Sequence, residues 1–544
     1  MPTIEINKTD LEKQLGKSFG KEKFEEVLQY TKLEISAISG DKITLEVKDS
    51  NRPDLLSVEG IARELKGILG KEKGIPKYTI NNSDFSVKVE SKVKNIRPAI
   101  ACAVVKDLKL DEESIRSLIQ FQEKLCDGFG RKRKEAAIGV YDFDKIKWPV
   151  TYTTSAPDKI KFVPLDMTEK LTLREILQQH EKGKEYANLI EKAAEYPILI
   201  DSEKNVLSMP PVINSEYSGK VTTATKNLFV EVTGLNFKRV LQTLDIFVAA
   251  LADRGGKIFS VKIGNIKTPD FKAKSKKLTV EEVNSRLGIK LTNKEITKLL
   301  EKARYNAKSK AGNIEVEVPF YRTDVIHAVD ITEDIAIMYG YSNFQPEELK
   351  IATTGSILEK TKLSNKISSL FVGLGFQEAA TMTLTNKESL FKKMHVQAEQ
   401  VVEIENPVSL TYSCVRNWLL PSLCEFLSKN KDVDFPQKIF EIGECILLEK
   451  RPEERLKLAF VSAYNKVNFT DARQILEYIL QNLGLECKIR PCEHGSFIPG
   501  RVGNIMINDK NYGIIGEVNP AVLNSWNIKM PAVAVELDIT ELMN

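Results

Sequence analysis

Two capping boxes constrain this chain's local geometry more tightly than any other feature. Thr279 with Glu282 and Thr292 with Glu295 have the spacing in which a hydroxyl accepts from the third backbone N–H and the glutamate reaches back. Each predicts the start of a short amphipathic helix, and Gly288 lies at the break between them. From Lys272 to Lys310, twelve Lys or Arg stand against four acids, a local excess of +8. Two capped helices across a short turn, so charged, have the outline of a helix-turn-helix able to meet phosphates. The same run also reads as a solvated, Lys-rich face.

An acidic segment follows, YRTDVIHAVDITEDIAIMYGY. On a helix from about Val325 onward, Asp330, Glu333 and Asp334 share one face, with Asp324 near the helix start. Like charges at that spacing repel, and a hard divalent cation would turn the repulsion into binding. Magnesium suits a site with few carboxylates and several waters. The alternative is an acidic first turn favoured by the helix dipole. His327 beside it reads as a packed or capping residue.

Composition sets the wider limits. The 544 residues suggest three or four domains. With 79 Lys and Arg against 75 Asp and Glu, the net charge is only +4, so nucleic-acid contact must be local. Seven scattered cysteines without a CxxC pair read as free thiols in a reducing compartment. The N-terminus is charged from residue 5, unlike a signal peptide. The apolar stretch Leu244–Ala252 is far short of the ~18 residues a membrane span needs. A soluble, cytoplasmic protein without membrane contact is expected. Phosphate-loop, dinucleotide and HExxH motifs are absent, and the four histidines are dispersed.

Four blocks are expected. Residues 1–90 mix helix and strand, with Pro53 forcing a turn before a helix carrying Leu56, Ile61, Leu65 and Ile68. Residues 91–268 read as strands plus two helices, 171–195 and 236–254. Residues 269–346 hold the basic and acidic segments. Residues 347–544 alternate helices with strands, the last placing Val533, Val535, Leu537 and Ile539 on one face. Turn-rich links imply antiparallel pairing and an α+β multidomain class.

Two loops could carry chemistry. GRKRKE at 130–135 could grip a backbone phosphate or be a surface turn. SMPPVINSEYSGKVT places Asn214, Ser215 and Glu216 after a rigid Pro-Pro; a carboxylate beside amide and hydroxyl groups could bind an ammonium and a phenolic hydroxyl. An ordinary polar-capped loop explains it nearly as well.

The stretches NRPDLLSVEGIAREL, AIGVYDFDKIKWPVTYT, LSMPPVINSE with TKNLFVEVTG, FYRTDVIHAVDITEDIA and SFIPGRVG occur in one order. In them the whole chain resembles the archaeal and eukaryotic type of phenylalanyl-tRNA synthetase beta subunit. The resemblance implies an alpha subunit that carries the aminoacylation chemistry in an α2β2 heterotetramer, with the phenylalanine tRNA as the other partner. It implies that 91–268 is an editing module hydrolysing mischarged tyrosine; in such a module the carboxylate of Glu216 and the amide of Asn214 are the candidates for reading the wrong amino acid. It further implies a helix-turn-helix-like domain at 269–346 whose Asp324, Asp330, Glu333 and Asp334 match magnesium ligands. At 347–544 it implies an inactive class II synthetase fold that packs against the catalytic subunit; no Gly-rich motif that would cradle ATP surrounds Arg416 or Arg501, so interface packing is expected of them rather than catalysis. The chain departs at Tyr141, where many relatives carry His; a phenol cannot act as a neutral-pH base as imidazole can. A structural tRNA-binding scaffold without editing is the competing expectation.

Overall fold

The computed structural model describes residues 2–18, 20–48, 51–310 and 312–543. The chain forms two compact units, Met1–Glu348 and Leu349–Asn544, and blocks one to three lie within the first.

The first unit opens with a three-stranded antiparallel sheet in the order Thr3–Asn7, Lys42–Val47, Leu33–Ser39. Pro53 starts a single 3₁₀ turn, Pro53–Leu56, and Ser57 then caps the helix Val58–Ile68 by accepting from Gly60 N. A side chain at 60 would sit 1.7 Å from Asp54 O, so only glycine allows so tight an entry.

Ion pairs of buried arginines tie this first part to the rest of the unit. Arg63 bonds Asp253 at 2.6 Å, Arg254 reaches Asp10 and Glu59, and Arg304 reaches Glu72. Removing both partners of Arg254 would strand a buried charge, at a cost of about 3–5 kcal/mol.

The centre is an eleven-stranded mixed sheet. Leu228–Gly234, buried along its whole length, runs antiparallel between Ala99–Lys106 and Ala136–Asp142. The helix Phe237–Asp253 packs Val240, Leu244, Phe247 and Leu251 into the core beneath it. The helix expected over 171–195 divides into Leu173–Gln179 and Glu181–Tyr186. His180 is extended there, and its Nδ1 accepts from Lys182 N, which starts the second helix afresh. A further helix, Glu112–Asp127, corrects the expectation of only two in this block. Its signal was present: Asp111 caps Ser114 N, and Phe121 and Leu125 bury one face.

Residues 269–346 carry both anticipated capping boxes, at the starts of Val280–Leu287 and Asn293–Lys302. The helices are accompanied by a three-stranded antiparallel sheet, Lys274–Thr279, Asn313–Val318, Asn306–Lys310, which the helix-turn-helix outline did not include.

The second unit is built on a seven-stranded sheet, antiparallel except where Gln377–Glu378 runs parallel to Gln437–Leu448. Val533, Val535, Leu537 and Ile539 lie together in the core with the helix Phe469–Asn482, while Ala532 and Ala534 belong to the opposite core with Leu420–Lys429. Arg416, expected at an interface, is instead buried within this unit. It is 3% exposed, pairs with Glu441 at 2.7 Å and donates to Glu444 O. Arg501 is exposed and paired with Glu517. Among the described residues, no helix is long and apolar enough to cross a membrane.

Candidate functional site

A cleft of about 610 Å³ opens in the first unit between Ala136–Asp142, the Pro210–Asn214 loop and the helix Glu112–Asp127. Ile115, Leu118, Ile138, Val140 and Val212 give it an apolar floor, and charged and polar side chains line the rest, among them Arg133, Asp166, Asn214, Lys220 and Glu231. A hollow with an apolar floor and converging polar groups can serve as a small-molecule subsite.

Glu231 is its most unusual member. It sits mid-strand, 2% exposed, directly opposite Gly139. Tyr141 donates its hydroxyl to Glu231 Oε1 at 3.0 Å and shares a 2.7 Å hydrogen bond with Ser208 Oγ. Glu231 Oε2 is buried with no partner. Burial pushes this carboxyl up to about 7, against the Tyr141 hydrogen bond and the charge of Arg97, so both of its protonation states are accessible near neutral pH. Burial, then Glu231, drives the Tyr141 phenol well above its usual range, so it serves as a donor, not a base. A Cβ at 139 would lie 2.4 Å from the Tyr141 hydroxyl and 2.5 Å from Glu231 Oε1. Gly139 therefore makes the room for this arrangement.

Arg133 supports the opposite wall. It is the third of three consecutive residues with positive φ, Arg131 to Arg133, and donates to Pro211 O at 3.2 Å and Val212 O at 2.8 Å. Its guanidinium lies 4.1 Å from the Tyr186 ring centroid. Buried Arg97 holds the same turn through Arg133 O and Lys134 O. Of the four cations in GRKRKE, Arg133 is thus structural, while Arg131, Lys132 and Lys134 are exposed.

The two residues singled out in SMPPVINSEYSGKVT separate. Asn214 lines the cleft and donates to Val140 O at 3.1 Å. Glu216 is not among the lining residues. Its carboxylate accepts from Lys220 Nζ at 2.6 Å and Asp166 N at 3.0 Å, contacts that hold it below the usual range, and so it braces two residues that do line the cleft. Glu231, Ser208 and Arg97 escaped sequence reasoning. The available signal was a lone acid inside the apolar strand LFVEVTG.

The acidic quartet does not converge. Asp324 Oδ2 and Asp334 Oδ2 each lie 2.7 Å from Arg322 Nη2, and Asp334 also accepts from the buried Tyr305 hydroxyl. Burial raises the Asp324 carboxyl, but Arg322 outweighs it and holds the group below its usual range. Asp330 accepts from Ile326 N and His327 N at the helix start, and Glu333 pairs with Lys32 at 2.7 Å. Among the described residues, no three His, Cys, Asp or Glu side chains meet as a metal-holding group. As placed, these four do not fit one magnesium ion.

Four family models match in sequence order. They are the Phe-tRNA synthetase beta subunit B1 domain at 1–71, the B3/4 domain at 83–246, the tRNA synthetase B5 domain at 276–341 and the phenylalanyl-tRNA synthetase beta chain CLM domain at 346–539. The cleft lies largely within the B3/4 match. The chain is 46% identical to the phenylalanine–tRNA ligase beta subunit of Pyrococcus horikoshii, over 100% of both chains. It is 39% identical to that of Methanococcus maripaludis, over 99% of this chain and 100% of the other. A crystal structure of an N-terminal fragment of the P. horikoshii beta subunit matches with a TM-score of 0.61 at 46% identity, covering 62% of this chain and all of that one. With full-length identity of this order and four collinear domain matches, the chain belongs to the phenylalanine–tRNA ligase beta subunit family.

Proposed function

We propose that this chain works with an alpha subunit, as α2β2, in the ATP-dependent attachment of phenylalanine to its tRNA, and that its cleft hydrolyses tyrosine mischarged onto that tRNA. The observation that carries the editing reading is the unpaired Oε2 of Glu231, buried in the wall of a hollow with an apolar floor. A tyrosine side chain would lay its ring on the apolar floor and satisfy that oxygen with its hydroxyl. Phenylalanine would leave it unpaired, and sites built to bond a hydroxyl reject the analogue lacking it by roughly 10⁴–10⁵. Asn214 offers a second polar contact, and Glu216 acts through Asp166 and Lys220. Tyr141 is unfit as a base, and the cleft contributes by positioning the hydrolytic water.

The test is deacylation of tyrosyl-tRNA by the assembled complex. Glu231→Ala should slow tyrosine release by roughly 10²-fold or more, and Glu216→Ala by less. Equal release by wild type and Glu231→Ala, both near the uncatalysed rate, would leave a tRNA-binding scaffold as the function. A magnesium ion shared with the alpha subunit would have to draw on Asp330 and Glu333, the two carboxylates not committed to Arg322, with other donors from outside this chain.

A further inference from the structure

A second cleft, of about 540 Å³, lies where the helix Phe237–Asp253 begins. Its wall carries Lys238 and Arg239 from that helix and Lys274 and Lys276 from the strand Lys274–Thr279, opposed by one acid, Glu135. None of the four cations is in an ion pair among the described residues. Lys276 donates instead to Ile326 O at 2.6 Å, and the Arg239 guanidinium lies over the Phe129 ring at 4.1 Å. Lys238 and Arg239 occupy the first helical turn, where the dipole disfavours cations. Burial, with repulsion from Lys238 and Lys276, pushes the Lys274 ammonium below its usual range, against Asp324. Four cations held together against dipole and mutual repulsion are relieved by an anion. Beside Lys238, the Phe237 ring is 36% exposed, and cations next to an exposed aromatic suit single-stranded nucleic acid, whose bases stack while its phosphates are neutralised.

The two clefts adjoin along the chain. The strand bearing Glu231 runs on to Asn236, five residues away and so at most about 18 Å. The turn that places Arg133 at the first cleft places Glu135 at the second.

We propose that this second cleft holds backbone phosphates of the single-stranded acceptor end of the tRNA, so that the terminal aminoacyl group reaches the cleft of Glu231. The proposal rests on the editing reading for its direction, though not for its binding.

The test uses the assembled complex and a single-stranded oligoribonucleotide matching the tRNA 3′ end. The double variant Lys238→Ala/Lys274→Ala should weaken binding roughly tenfold and lower the slope of log affinity against log salt by about 0.7 for each lysine. Lys290→Ala/Lys294→Ala removes the same charge from the basic segment 272–310, outside the cleft, and should leave both values unchanged. In tyrosyl-tRNA deacylation the first double variant should raise KM and leave kcat within about twofold. Unchanged affinity and slope in the first variant, or equal losses in both, would overturn the proposal. If wild type fails to deacylate tyrosyl-tRNA, the editing reading falls, and the binding comparison still decides the cleft.

Discussion

Tyr141 and Glu231 meet diagonally across two antiparallel strands, the phenol donating to the carboxyl at 3.0 Å. Between them stands Gly139, paired with Glu231 in the ladder. Gly139→Ala would drive a methyl against both groups, and neither can swing into solvent. Overpacking a site of this kind costs about 1–3 kcal/mol. The variant should unfold at lower urea concentration and lose tyrosyl-tRNA hydrolysis, while phenylalanine attachment by the complex is retained. A variant that keeps wild-type hydrolysis would show that the Tyr141–Glu231 contact is not needed.

Glu231 should also leave a mark on stability as pH changes. Its folded pKa, about 7, is raised above the ordinary 4.5. The folded state therefore holds this proton where the unfolded chain has released it. This contribution to stability is fully present below pH 4.5 and is lost as pH rises through about 7, by roughly 3 kcal/mol at most. Glu231→Gln removes the titration. The difference in unfolding free energy between variant and wild type should grow in the variant's favour from pH 4.5 to 7.5, read by urea denaturation. Asp245, raised to about 8 by burial, acts in the same direction in both proteins and cancels in the comparison.

Asp334 accepts from both Arg322 and Tyr305. Asp334→Ala would leave a buried guanidinium with only Asp324, and should cost about 3 kcal/mol. The loss should be equal with and without a chelator, since the lost partner is a side chain, not an ion from solution. A loss that vanishes after chelation would instead place a metal at Asp334.

Asp330 separates the two readings of the acidic segment. As a cap it accepts from two backbone N–H groups, and Asp330→Asn, which keeps one acceptor oxygen, should cost at most about 1 kcal/mol. Size-exclusion measurements on the α2β2 complex with and without magnesium should show whether assembly depends on the ion. If it does, Asp330→Asn should remove that dependence; if assembly ignores both, the helix-start role suffices.

Much of the fold was legible because its signals are local. Thr279 with Glu282, Thr292 with Glu295 and the turn at Pro53 all act within one helical turn, so neighbouring residues determine them. The two faces of Ala532–Asp538 follow from strand alternation alone. The helix at 112–127 was legible too, from its Asp111 cap. The division of the helix at His180 depends on one ring nitrogen accepting from Lys182 N, which spacing does not reveal.

The candidate site was legible only in part. SMPPVINSEYSGKVT forms one wall of the cleft, where Asn214 lines it and Glu216 braces it through Asp166 and Lys220. The sequence by itself determined the helix starts at Thr279 and Thr292, the faces of the last strand and, through collinear motifs, the family. Only the tertiary structure decided that Arg322 gathers Asp324 and Asp334, and that Glu231 is the buried acid of the cleft. A carboxyl's partner and its acidity depend on which distant strands close around it, and nothing within a few residues of Glu231 specifies Gly139, Tyr141 and Ser208 as its neighbours.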